Sequence, residues 1–150
     1  MQYWLMKSEP STYGIDDLKK DTITAWEGVR NYQARNMMRD QMRKGDQAFF
    51  YHSNANPPGI VGIMTVCKEA YPDFTALDPD SKYHDPKATE DNPRWFMVDV
   101  KFKRHLKHLI TLEDLKQQPA LSDSALVKKG NRLSIMPMTQ QEWEAILQLE

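Results

Sequence analysis

At 150 residues with 40% hydrophobic content, the chain has the size and apolar share of one domain, residues 1–150, with an adequate core. Charged residues make up 27% and the net charge is -1, which excludes a general electrostatic grip on long nucleic acid and leaves any such contact to a local patch. The single cysteine, Cys67, excludes an internal disulfide and a thiolate metal cluster; within the apolar run Ile63 to Cys67 it reads as a small core residue.

The chain starts on a strand-like segment, with no charged leader and no long apolar run, so a cytoplasmic protein without membrane contact is expected. Gln2 to Lys7 alternates aromatic and aliphatic residues as a buried strand does, and Pro10 breaks it because proline cannot donate to a ladder. Thr12 is placed to cap a short helix that turns Ile15 and Leu18 inward and runs to about Lys20. Thr22 to Trp26 reads as a second strand. Asn31 is a suitable N-cap for the next helix, whose apolar face is Tyr32, Ala34, Met37, Met38 and Met42, with Gly45 as its stop.

Gln47 to Tyr51 and Ile60 to Lys68 are the clearest strand patterns, joined by the turn-rich Ser53 to Gly59. Tyr71 to Pro93 is acidic, proline-bearing and poor in apolar residues, which predicts a long surface loop more mobile than the strands beside it. Arg94 to Lys103 alternates as another strand, Thr111 opens a short helix that ends near Pro119, and Leu133 to Met136 is a last strand. Thr139 and Glu142 form a capping box for a C-terminal helix with Trp143, Ile146 and Leu147 inward. About six short strands without regular strand–helix alternation argue against a doubly wound parallel sheet. They predict an α+β fold, a small, partly closed, mixed barrel with helices inserted.

Chemistry concentrates between Ala25 and Asn36. An indole at Trp26, a guanidinium at Arg30, an amide at Asn31 and a phenol at Tyr32 meet at a strand-to-helix junction, which suits a flat ring with a polar edge. Ser53 and Asn54 offer further donors and acceptors, and His52 or Tyr51 must face inward. Each has a duller reading: core indole, helix cap, turn residue, structural histidine. Trp4, Trp95 and Trp143 sit within regular apolar patterns and read as core. His105 and His108 have no carboxylate or cysteine at ligand spacing, so neither metal nor cofactor is expected. Arg35, Arg39 and Arg43 recur every fourth residue as a basic stripe that Arg30 and Lys44 can extend; it is either a phosphate track or a solvated face.

Several segments together resemble the EVE domain. They are Tyr3-Trp4-Leu5-Met6-Lys7-Ser8-Glu9-Pro10, Trp26-Glu27-Gly28-Val29-Arg30-Asn31-Tyr32-Gln33-Ala34-Arg35-Asn36, Phe50-Tyr51-His52-Ser53-Asn54, Pro58-Gly59-Ile60-Val61-Gly62 and Arg132-Leu133-Ser134-Ile135-Met136-Pro137-Met138-Thr139. That resemblance implies a PUA-like pseudobarrel, related to YTH and ASCH domains, with a pocket for one nucleobase, often modified. EVE domains are associated with 5-methylcytosine and 5-hydroxymethylcytosine in DNA. Trp26 matches the first aromatic wall of YTH domains and Lys7-Ser8 their strand-end Lys-Ser, although the loop after Gly62 shows no second tryptophan.

The function expected is thus a non-catalytic module that flips one modified base of DNA or RNA into a pocket of Lys7, Ser8, Trp26, Asn31, Tyr32, His52 and Ser53. Arg30, Arg35 and Arg39 would contact phosphates. With no second domain to cleave or signal, a monomer working through a separate effector protein is expected. The alternative is a small amidohydrolase, ASCH-like, acting on acylated cytidine with Lys7, Ser8 or Thr24, and Glu27.

Overall fold

The computed structural model describes residues 1–131 and 133–150, so Arg132 of the last motif lies outside the described residues. Six strands form one mixed sheet: β1 (Tyr3–Ser8), β2 (Ile23–Ala25), β3 (Gln47–His52), β4 (Gly59–Pro72), β5 (Phe96–Thr111) and β6 (Ile135–Met138). Their order is β2-β5-β4-β3-β1-β6. The α+β class and the mixed, mainly antiparallel sheet are those expected. The sheet is not closed into a barrel, since its edge strands β2 and β6 do not pair with each other among the described residues.

β1 and β3 make the parallel pair, from Tyr3 opposite Gln47 to Ser8 opposite His52. Parallel pairing brings two strand ends to one edge, and the Ser53 N–H donates to the Ser8 carbonyl at 3.0 Å there. The alternation of β4 buries Met64 and Val66 and turns Cys67 outward to a half-buried position. Cys67 is therefore not the core residue that its apolar neighbours suggested.

The helices are α1 (Ile15–Asp21), α2 (Tyr32–Asp40), α3 (Leu112–Lys116) and α4 (Gln140–Leu147). Gly14, not Thr12, caps α1, and its N–H donates to the Asp17 carboxylate at 2.8 Å. Asn31 caps α2 as expected, accepting from the Ala34 N–H at 3.0 Å. α2 ends at Asp40, before Gly45, whose φ of +98° belongs to the turn into β3. Thr111 and Thr139 cap α3 and α4 with reciprocal boxes to Asp114 and Glu142.

One core cluster joins Trp4, Leu18, Trp26, Met38, Met42, Phe50 and Val98; a second joins Leu5, Phe49, Ile110, Met136, Trp143 and Ile146. Within the second, Phe49 stacks on Trp143 with centroids 3.8 Å apart. Arg104 holds Glu150 at 2.7 Å, and that bond keeps the Glu150 carboxyl down at about 2. A depressed carboxyl stabilises the fold above its unfolded range, and the contribution is lost as the pH falls toward about 2. Replacing Glu150 by Gln should shallow the acid arm of a melting-temperature profile over that window; an unchanged arm would deny the pair any role in stability.

The acidic segment departs most from expectation. Asp73, Thr75, Ala76 and Ala88 are buried, and Ala76 and Ala88 pack with Trp95. The Asp85 N–H donates to the Ala76 carbonyl at 2.9 Å, and the Trp95 indole N–H to the Asp85 carboxylate at 2.7 Å. Few apolar residues suffice here because backbone and carboxylate bonds hold the segment. Amide exchange should accordingly be much slower at Thr75, Ala76 and Asp85 than at exposed Glu90 and Asp91. Uniformly fast exchange from 74 to 92 would contradict this anchoring.

Candidate functional site

Where β1 and β3 end side by side, the chain leaves a cleft of about 1120 Å³. Lys7, Ser8 and Glu9 line it from β1 and its exit, Thr24 to Arg30 from β2 and the following loop, and Ser53 and Asn54 from the exit of β3. Lys82 and Tyr83 contribute from the acidic segment, and Asn131, Leu133 and Ser134 from the approach to β6. A nucleobase occupies a fraction of such a volume, so sugar and phosphate also fit.

Of the residues singled out in sequence, Lys7, Ser8, Trp26, Arg30 and Ser53 come together at this cleft, with Asn54 and Glu27. Trp26 presents only an edge: it is 7% exposed, with its ring packed edge-on against Phe50 at 5.4 Å. Ser8 Oγ donates to the Tyr13 carbonyl at 2.7 Å, which directs the hydroxyl proton inward. Burial pushes the Lys7 ammonium below its ordinary range. Burial also raises Glu27, helped by the charge of Asp73 and opposed by Arg30 and Lys82. Tyr13, on the same wall, is pushed up to about 12, by burial first, and its hydroxyl donates to Asp21 at 2.7 Å.

Asn31, Tyr32 and His52 do not line the cleft. Asn31 spends its side-chain oxygen on the α2 cap. Tyr32 is 49% exposed and stacks on Trp95 at 4.8 Å, with the Arg35 guanidinium 4.7 Å from its ring centroid and 5.8 Å from that of Trp95. His52 turns under α1, where Nε2 accepts the Ile15 N–H at 3.1 Å, and burial lowers its pKa. The alternation that made either Tyr51 or His52 face inward is real, but the space behind His52 is filled by α1.

The arginines are also engaged. Arg30 gives all five N–H groups to the chain: two bonds to the Tyr83 carbonyl at 2.7 and 3.0 Å, and one each to Asp73, Thr75 and the Val29 carbonyl. It is thereby a clamp on the acidic segment, not a group free to reach a phosphate. Arg35 donates to the Arg94 carbonyl at 2.8 Å and to Asn36, and Arg39 pairs with Asp40 at 2.8 Å.

Sequence reasoning missed Asp73 and Tyr83. Asp73 is fully buried and accepts the Gly28 N–H at 2.9 Å, Arg30 at 3.1 Å and the Thr75 N–H at 2.9 Å. The Tyr83 ring lies so close over Gly28 that a Cβ there would stand 2.5 Å from it, and the Gly28 φ of +84° suits glycine besides. The legible signal was the Asp73-Phe74-Thr75 turn motif. Nothing in the sequence marked Tyr83.

Comparison with known proteins agrees with this architecture. A Pseudomonas syringae crystal structure superposes with a TM-score of 0.95 at 53% identity, covering 98% of both chains. A human THYN1 structure, described as a complex with 5-methylcytosine-containing DNA, superposes with a TM-score of 0.93 at 44% identity over 99% of this chain and 97% of that one. An ASCH protein from Zymomonas mobilis, at 9% identity and a TM-score of 0.56 over 99% of each chain, shares the fold alone. Human thymocyte nuclear protein 1 is 46% identical over 167 residues, spanning 99% of this chain and 73% of that protein. The EVE domain model matches residues 2–149, and with strands, cleft and relatives all in agreement, the chain belongs to the EVE domain family.

Proposed function

We propose that this chain is a non-catalytic DNA-binding module that takes one flipped, 5-methylcytosine-like base into the cleft beside Trp26. The observation that carries the reading is the human THYN1 complex with 5-methylcytosine-containing DNA, which shares 44% identity and almost the whole fold. In this chain Lys7, Ser8 and Ser53 would address the polar edge of the base, with Trp26 and Tyr83 as its apolar walls. Extruding a base costs a few kcal/mol, which stacking and edge hydrogen bonds must offset. Burying one methyl group contributes only about 0.8 kcal/mol, so hydrogen bonds have to supply the remaining selectivity. The proposal includes a cytoplasmic monomer whose output passes through a separate effector protein. RNA carrying the same base is a second substrate to test.

The enzymatic alternative has its groups on the same cleft: Lys7, lowered by burial, with Ser8, Thr24 and Glu27. One panel separates the two. Incubation with 5-methyldeoxycytidine should raise the melting temperature, while N4-acetylcytidine should be recovered intact by chromatography. Stabilisation by neither, or release of acetate, would overturn the binding reading.

A further inference from the structure

A second cavity, of about 460 Å³, opens beside the base cleft and shares Lys7 and Asn131 with it. Lys116, Lys128 and Lys129 also line it, with Tyr51, and no carboxylate does so among the described residues. Four ammonium groups around one cavity contrast with a chain whose net charge is -1. They are also less committed than the arginines of α2. Among the described residues only Lys116 has a carboxylate partner, Glu113 at 3.7 Å on the exposed surface. Lys7 Nζ stands 5.3 Å over the Tyr51 ring. The loop that carries Lys128 and Lys129 is fixed by Asn131, whose Nδ2 donates to the Ala125 carbonyl at 2.7 Å and whose Oδ1 accepts the Leu133 N–H at 3.1 Å.

We infer that this lysine-lined cavity is a phosphate site, holding a backbone phosphodiester of the strand whose base occupies the adjoining cleft. The inference rests on the proposed base reading for the ligand's identity, and the geometry of the shared wall supplies the rest. Lys7 lies between the two spaces, so a nucleotide can set its base on one side and its phosphate on the other. Compact ammonium groups suit a phosphate as point charges. An anion would also restore the charge that burial makes costly at Lys7. Burial raises the Tyr51 pKa, which keeps its hydroxyl a donor. The local electrostatic footprint then belongs to the 128–131 loop, not to the Arg35–Arg39 face of α2.

The test uses a Lys128→Ala/Lys129→Ala variant and a separate Lys116→Ala variant, each checked for an unchanged melting temperature. On a duplex oligonucleotide, the slope of log K against log salt should flatten by roughly 0.9 for each phosphate that the variant no longer neutralises. The intact protein should bind 5-methyl-dCMP about tenfold more tightly than 5-methyldeoxycytidine, the size of one charge-assisted bond. The double variant should lose that advantage and keep its nucleoside affinity. Unchanged slopes with an unchanged monophosphate advantage would overturn the site. So would a slope that flattens only in an Arg35→Glu/Arg39→Glu variant, which would put the phosphate track on α2. A vanished monophosphate advantage with an unchanged duplex slope would assign the cavity to free nucleotides and overturn the strand assignment. Slopes are read on unmethylated duplex as well, so a missing methyl preference would sink the base reading without affecting the phosphate test.

Discussion

Trp26→Ala is expected to cost about 3–5 kcal/mol of stability, enough to threaten the fold of a domain this size. The indole is buried against Phe50 within the larger core cluster, and its backbone N–H donates to the Val98 carbonyl at 2.8 Å. A pocket wall exposed to solvent would lose far less. Trp95→Ala, read from sequence as the core control, should therefore not separate from it: exposures of 5% and 7% make the two alike. Trp26→Phe is the informative variant, because it keeps an aromatic ring in the core and withdraws the larger edge from the cleft. It should melt near the intact protein and bind 5-methyldeoxycytidine several-fold more weakly, because the cleft loses contact with the indole edge. Trp26→Ala melting within about 1 kcal/mol of the intact protein in urea would show that the burial argument fails.

Asp73→Ala is expected to have an effect of similar size, about 3–5 kcal/mol, from a different cause. The carboxylate is fully buried and ties the 28–30 loop, through the Gly28 N–H and the Arg30 guanidinium, to its own turn at Thr75. Its removal leaves a partly buried cation, the half-buried Gly28 N–H and the buried N–H and hydroxyl of Thr75 without their acceptor, and desolvated polar groups are costly to orphan. The substitution should also loosen Tyr83, since Arg30 is what holds the Tyr83 carbonyl against the Gly28 loop. Nucleoside affinity should fall in any Asp73 variant stable enough to assay, such as Asp73→Asn, which keeps one acceptor oxygen. A cost under about 1 kcal/mol for Asp73→Ala would mean that solvent or a neighbouring group replaces the network.

What was legible in the sequence was whatever depends on local period and local chemistry. The apolar runs of β3 and β4, the Asn31, Thr111 and Thr139 caps, and the inward Leu18, Met38 and Trp143 all follow from local composition and spacing. The cleft residues Lys7, Ser8, Trp26 and Ser53 were legible through the family resemblance, and parallel pairing of β1 with β3 explains why they meet. Long-range partners were not legible. Arg30 looked like a free cation because its acceptors lie 43 to 53 residues away, at Asp73, Thr75 and Tyr83. The acidic segment looked like an unattached loop for the same reason: its anchors are one buried carboxylate and a few backbone bonds, which no hydropathy pattern displays. Tyr32 and His52 were placed correctly on their elements, but which neighbour would fill the space beside them depends on how α1 and Trp95 pack.

Whether a methylated base sits in the cleft beside Trp26 can be read from the NMR signal of the base itself. A duplex carrying one 5-methylcytosine with a ¹³C-labelled methyl group gives a single methyl resonance, followed as the protein is added to saturation. The expected result is a displacement of that resonance from its stacked-duplex position, cross-relaxation to the Trp26 indole protons, and loss of that cross-relaxation in Trp26→Phe. A methyl resonance that keeps its stacked-duplex position at saturation, with no transfer to Trp26, would contradict a base held in the cleft.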